Sequence, residues 1–185
     1  MKLGILGGTF DPLHIGHLIL AQQALEKLKL DKVIFVVNNI PPHKKECFFP
    51  GSVRFKMVKE ALKDYPYFEA SNIELKRRGI SYTVDTLKEF KKIYPKAKFY
   101  LIIGSDLAKD FFKKWRSPFE ILKLSKVCVA KRNRVFKKDK RFLYFDIIQV
   151  GISSTFIRER IKENKPIDLF VPKVVKKIIK EYLKR

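Results

Sequence analysis

The sequence is poor in cysteine, in acidic residues and in long apolar runs, and each shortage excludes something. Cysteine occurs twice, as Cys47 and Cys128, far apart and in unlike settings, which argues against a disulfide framework and a cysteine-based zinc site. No apolar stretch approaches the ~18 residues that a membrane-spanning helix requires. The first ten residues lead directly into a glycine-rich turn, with neither the basic n-region nor the small-residue cleavage site of a secretory leader. A soluble, cytoplasmic protein is the expectation. Asp and Glu number 19 against 41 Lys and Arg, a formal net charge of +22, and such a surplus raises nucleic acid as a partner. The low hydrophobicity of a disordered polycation is absent, because 46% of residues are hydrophobic and 13% aromatic. A chain of this size buries roughly 70% of the surface its unfolded form exposes, enough for one core without staples.

What is present is an alternation of short β-rich runs with helix-period segments. Lys2 to Leu6, Val33 to Val37, Phe68 to Ile73, Phe99 to Ile103, Val127 to Ala130 and Phe142 to Ile148 read as strands. Between and after them, Ile15 to Leu28, Val53 to Leu62, Val84 to Tyr94, Ser154 to Lys162 and a terminal segment striped by Val171, Val174, Val175, Ile178, Ile179 and Leu183 read as helices. The first helix is expected to bury Ile15, Leu18, Ile19, Leu25 and Leu28. Alternation of this kind predicts an α/β fold, a doubly wound parallel sheet with helices on both faces, in a single domain over residues 1–185. Ligands then belong outside the carboxyl ends of the strands. There is neither an internal repeat nor a linker, and one long loop, between Asn38 and Ser52, holds Pro41, Pro42, His43, Lys44 and Lys45. Loops of that length in compact domains are mostly functional or disordered.

Gly7-Gly8-Thr9-Phe10-Asp11-Pro12-Leu13-His14-Ile15-Gly16-His17 joins the first strand to the first helix. It lacks the Gly-Lys-Ser/Thr ending of a Walker A loop and the glycine spacing of the dinucleotide fingerprint. Its physics is nevertheless that of an anion site, since glycines admit a phosphate to the backbone and a helix N-terminus offers N–H groups and partial positive charge. His14 and His17, three apart, share the face turned toward that N-terminus. A zinc site would need a third close ligand, from His43 or a carboxylate. A second candidate is Ser153-Ser154-Thr155-Phe156-Ile157-Arg158. Hydroxyls there can cap a helix, and an Arg one turn in can reach phosphate oxygens.

The stretch Gly7 to His17 resembles the nucleotidyltransferase superfamily signature with its His-x-Gly-His element. Ile152 to Arg158 resembles that superfamily's second phosphate element. Asn38-Asn39-Ile40-Pro41-Pro42-His43-Lys44, Ser81-Tyr82-Thr83-Val84-Asp85-Thr86-Leu87, Gly104-Ser105-Asp106 with Trp115, and Ala130-Lys131-Arg132 resemble, in order and over essentially the whole chain, the bacterial nicotinate-nucleotide adenylyltransferases. The resemblance implies a Rossmann-like sheet and a reaction of ATP with nicotinate mononucleotide, giving the dinucleotide and pyrophosphate in NAD biosynthesis. It implies that His14, His17 and Arg158 are catalytic. Gly7, Gly8, Thr9, Phe10, Gly104, Asp106, Ser153, Ser154 and Thr155 would join them in binding ATP. Asn38, Lys44, Tyr82, Thr83 and Trp115 would bind the mononucleotide, Trp115 stacking on the pyridine ring and backbone N–H groups near Tyr82 and Thr83 taking the carboxylate. Mg²⁺ is expected mainly through ATP oxygens, with no metal site of the protein's own and no membrane or nucleic-acid partner.

The residues themselves leave plainer readings open. Trp115 could pack a core, Asp106 could cap a helix, and Lys44 could be a charged loop residue. Ser105 stands where the family commonly has Ala, and Asn133 to Arg141 replaces a Pro-Gly and longer insertion, so the adenine-side loop transfers least. Other nucleotidyltransferases, such as one acting on phosphopantetheine, share the first motif. A basic nucleic-acid-binding module is the reading from another class, but the basic residues are spread over every segment. On the terminal helix, for instance, they lie beside or opposite the apolar stripe.

Overall fold

The computed structural model describes residues 1–41, 46–131 and 138–184. Its framework is a six-stranded sheet of β1 (Lys2–Gly8), β2 (Lys32–Val37), β3 (Phe68–Ser71), β4 (Lys98–Gly104), β5 (Ser125–Lys131) and β6 (Leu143–Asp146). The strand order is β3-β2-β1-β4-β5-β6 and every neighbouring pair is parallel. This is the doubly wound Rossmann-like arrangement that the alternation predicts, and the order reverses between β1 and β4. The longer helices are α1 (Ile15–Lys27), α2 (Gly51–Ala61), α4 (Thr83–Ile93), α8 (Ser154–Lys162) and α9 (Lys173–Leu183). Four short ones, α3 (Ile73–Arg77), α5 (Ser105–Ala108), α6 (Phe111–Lys114) and α7 (Pro118–Leu124), have too few residues to show a helical period.

Alternation along the strands sends side chains to two cores. Val33, Phe35 and Val37 of β2 pack with α1, α2 and α9 residues such as Ala24, Met57 and Val175 on one face. Ile34 and Val36 pack with Val84, Leu87 and Phe90 of α4 and with Ile121 of α7 on the other. Two expected stripes shift. In α1, Leu18, Leu20, Ala21, Ala24 and, at its C-cap, Leu28 are buried whereas Ile15, Ile19 and Leu25 are only partly covered; Leu20 lines a cleft described below. In α9, Leu183 is 51% exposed at the last turn, where the helix has run past its α2 partner's packing stripe of Met57, Val58 and Ala61. Among the described residues no helix is long and apolar enough to cross a membrane. Lys44, Arg132 and the start of the adenine-side loop fall outside the described residues.

Candidate active site

Parallel pairing of Gly7 with Val36 and Gly8 with Val37 brings the first motif to the carboxyl end of β1, beside the end of β4. Gly8 is needed there, since a Cβ on it would lie 2.8 Å from the Phe10 ring. Phe10 is 1% exposed, with its ring packed on Phe35 and His17, so the ring expected to contact ATP is held in the core. Phe10 adopts φ 48, the left-handed geometry with which the turn reverses toward α1.

His14 is the N-cap of α1, and its backbone N–H donates to His17 Nδ1 at 3.2 Å. The two imidazoles lie 3.7 Å apart between centroids, as the spacing of three requires on one helical face. Gly16 shapes this pair from beneath: a Cβ there would press on the His14 ring at 3.1 Å. His14, Gly16, His17 and Leu20 line one wall of a cleft of about 170 Å³, whose other wall is the backbone-rich strap of residues 147–152.

The second motif closes onto the first. Ser153 caps α8 by accepting from the Phe156 N–H at 3.1 Å. Ser154 donates to the Pro12 carbonyl at 3.0 Å, and Arg158 donates to the Asp11 carbonyl at 2.8 Å and to Thr155 Oγ1 at 3.0 Å. The two motifs therefore meet, but Ser154 and Arg158 spend hydrogen bonds on the protein's own turn and Thr155 accepts from Arg158. Arg158 carries five N–H donors, so its two contacts leave donors for a ligand oxygen.

Gly7, Gly8 and Thr9, at the start of the same motif, line a larger cavity of about 420 Å³. Asn38, Tyr82, Thr83 and Trp115, four of the residues expected around a mononucleotide, line it together. Trp115 is half-buried, with its ring 5.0 Å from that of Phe111; it is both a packing residue and a cavity wall. Lys114 and Arg116 flank it, and the Arg116 guanidinium sits 4.7 Å over the Tyr82 ring and 3.6 Å from Asp85. Gly104 is buried at the end of β4, and Asp106 is exposed two residues further on in the first turn of α5; neither lines either cavity. Among the described residues no group of three or more His, Cys, Asp or Glu is placed to hold a metal ion.

Sequence reasoning passed over the residues that hold these walls. Arg54 is 2% exposed, and its guanidinium donates to the carbonyls of Phe49 at 3.0 Å, Thr9 at 2.7 Å, Asn38 at 2.8 Å and Asn39 at 3.2 Å. Burial lowers its pKa, opposed by nearby Cys47 and Asp11. Asp11, also 2% exposed, accepts from the backbone N–H groups of Phe48 at 2.8 Å and Phe49 at 2.9 Å. A signal for Arg54 existed, because an Arg three and four residues before Met57 and Val58 stands on the apolar stripe of α2.

The sequence model of the cytidylyltransferase-like family matches residues 5–160. A Desulfitobacterium hafniense protein named "Probable nicotinate-nucleotide adenylyltransferase" is 42% identical over 195 aligned positions, covering 97% of this chain and 93% of its own. The chain belongs to the nicotinate-nucleotide adenylyltransferase family. A Dictyoglomus thermophilum relative of the same printed name is 39% identical, with 97% of this chain and 96% of its own covered. Among solved structures, the Plasmodium falciparum nicotinic acid mononucleotide adenylyltransferase complexed with NaAD superposes with a TM-score of 0.79 at 22% identity, covering 98% of this chain and 95% of that one. That likeness carries the fold of the family, and the sequence relatives carry the membership.

Proposed function

We propose that this chain transfers the adenylyl group of ATP to nicotinate mononucleotide, giving nicotinate adenine dinucleotide and pyrophosphate. The observation that carries the reading is the placing of two cavities along one motif. Gly7, Gly8 and Thr9 line the Tyr82–Trp115 pocket, and His14, Gly16 and His17 further along the same motif line the histidine cleft, beside the switch point of the sheet, which suits a reaction joining two nucleotides. ATP belongs with His14 and His17, its triphosphate reaching toward Ser153 to Arg158. The mononucleotide belongs in the larger pocket, its ring against Trp115.

The attacking 5′-phosphate is ionised at neutral pH, so no general base is needed. Rate comes from holding that oxygen in line with the α-phosphorus and from donors that meet the charge developing on pyrophosphate. His14 and His17, adjacent at the α1 N-terminus, supply such donors in the cleft, and Arg158 adds a fixed cation beside the same turn. Asp106 and Gly104, at the end of β4, are assigned to the ribose, and Lys44 to phosphate. Mg²⁺ is taken to enter as part of the substrate, on ATP oxygens and water; among the described residues no group is placed as a metal cage. A cytoplasmic location, where ATP is made available to biosynthesis, belongs to the same reading.

Pyrophosphate release tests it, with ATP offered against nicotinate mononucleotide, nicotinamide mononucleotide and phosphopantetheine in parallel. Turnover with the pyridine mononucleotides, and nicotinate leading, is the expected result. Turnover with phosphopantetheine alone would overturn the substrate assignment. A salt titration against generic DNA addresses the net charge of +22, and binding is expected to vanish at physiological ionic strength.

A further inference from the structure

Two carboxyl side chains are buried among the described residues, Asp11 and Glu74. Asp11 has two backbone donors and Arg158 near it. Glu74 is different. It is 5% exposed, and the nearest guanidinium, Arg77, is engaged with Glu89 at 3.0 Å and Thr86 Oγ1 at 3.2 Å. Glu74 Oε1 accepts from the Thr86 hydroxyl at 2.5 Å, and the Ser81 hydroxyl is near enough to act on the carboxyl's pKa. Oε2 has no hydrogen-bond partner. Burial raises the pKa of this carboxyl, against the opposing effect of the Thr86 and Ser81 hydroxyls and of the Arg77 charge, favouring the uncharged form. That form is compatible with a cavity meant for an anionic ring.

Ser81 and Thr86 bracket the turn that opens α4. Ser81 Oγ accepts from the Asn39 N–H at 2.9 Å, and its own N–H donates to the Ile40 carbonyl at 2.9 Å, which ties the turn to the end of β2. Tyr82 is the N-cap, and the N–H groups of Asp85 and Thr86 return to its carbonyl at 3.1 and 3.3 Å. The first N–H groups of a helix have no carbonyl within it to bond. Their direction at Thr83 and Val84 is set by how the turn is anchored, and Glu74 is the anchor common to both of its ends.

We propose that Glu74 is a positioning residue of the mononucleotide subsite: by holding Ser81 and Thr86 together it aims the backbone N–H groups of the Tyr82–Thr83 turn into the cavity. Its Oε2 is covered, so the role is exerted through the turn. The proposal rests on the reading that this cavity takes nicotinate mononucleotide.

Steady-state kinetics with each substrate varied, on the wild type, Glu74→Ala, Glu74→Gln and Thr86→Val, test it. Glu74→Ala is expected to raise the KM for nicotinate mononucleotide about tenfold, with the KM for ATP within about twofold. Glu74→Gln, uncharged and still an acceptor for the Thr86 hydroxyl, should recover most of that loss. Thr86→Val should show the same selectivity, less strongly. Equal rises in both KM values, or none, would overturn the role of Glu74 while leaving wild-type turnover and the proposed reaction intact. If Glu74→Ala does not fold, an unselective Thr86→Val overturns it alone. A wild type without turnover on nicotinate mononucleotide would overturn the reaction, and this role with it.

Discussion

The two cavities lined by the first motif are made from different kinds of sequence. The histidine cleft draws on two contiguous stretches, residues 14–20 and 147–152. The larger pocket gathers the end of β1, Asn38, Pro41, Glu74, residues 81–86 and residues 114–116. A wall made of one helix start is positioned by local geometry, whereas a wall made of many segments depends on braces that lie behind it. Arg54 is a brace behind both, because its guanidinium holds Thr9 and Asn38 on the large pocket, and Thr9 opens the turn that runs on to His14 and His17 of the cleft. Glu74 braces the large pocket only.

Breaking the shared brace should therefore have the widest effect. Arg54→Ala leaves four backbone carbonyls without their donor in a buried site, and each such loss costs roughly 1–3 kcal/mol where water cannot replace it. A total of about 3–5 kcal/mol is expected, since water recovers part, and at ~2–4 °C per kcal/mol this lowers Tm by about 10 °C or more. Thermal denaturation and the two KM values check this, and both KM values should rise. A stable variant with only one KM altered would separate the cavities that the structure joins.

Next in size is a break confined to the cleft. His17→Ala should lower kcat by about 10²- to 10³-fold, the usual loss on removing one electrostatic donor at a developing charge. The fold should survive, because His17 is only half-buried; circular dichroism and Tm check that alongside turnover. Near-normal turnover in a folded variant would refute the assignment of the histidines to the departing pyrophosphate. Trp115→Ala breaks the other side. Aromatic stacking on a ring is worth ~1–3 kcal/mol, so the KM for the mononucleotide should rise about tenfold or more while that for ATP changes little. Equal weakening of both substrates would mean that the contact with Phe111 is what the indole contributes.

The same contrast explains what could be read without coordinates. The parallel sheet was legible because its strands are buried on both faces and separated by helical periods, and the meeting of the two phosphate motifs followed from their chemistry. The bonds by which they meet were not legible. Ser154 to Pro12 and Arg158 to Asp11 are side chain to carbonyl contacts, to which any residue can be the acceptor. Asn38, Tyr82, Thr83 and Trp115 were found by motif and do line one cavity. Glu74 went unnoticed in a five-residue helix, too short to mark it as an acid on a buried face. Phe10 was assigned to a ligand because it sits inside a motif, but its ring serves the core.

The smallest effect expected is the one that tests whether Glu74 carries charge. In the unfolded chain its carboxyl titrates in the ordinary range, and in the folded chain burial raises that pKa. Between the two values the folded state binds more protons than the unfolded state, so stability falls as pH rises through that window. The contribution is most favourable below the unfolded pKa and is lost once the folded group ionises. Glu74→Gln has nothing to titrate and imitates the neutral acid. The difference in Tm, variant minus wild type, should therefore be near its minimum at pH 4 and grow toward pH 7, by about a few °C if the carboxyl's cost reaches ~1 kcal/mol. A difference that stays constant with pH would show that the carboxyl is equally at ease charged in the pocket. Its hydroxyl partners, and not its neutrality, would then be what equips the cavity for an anionic ring.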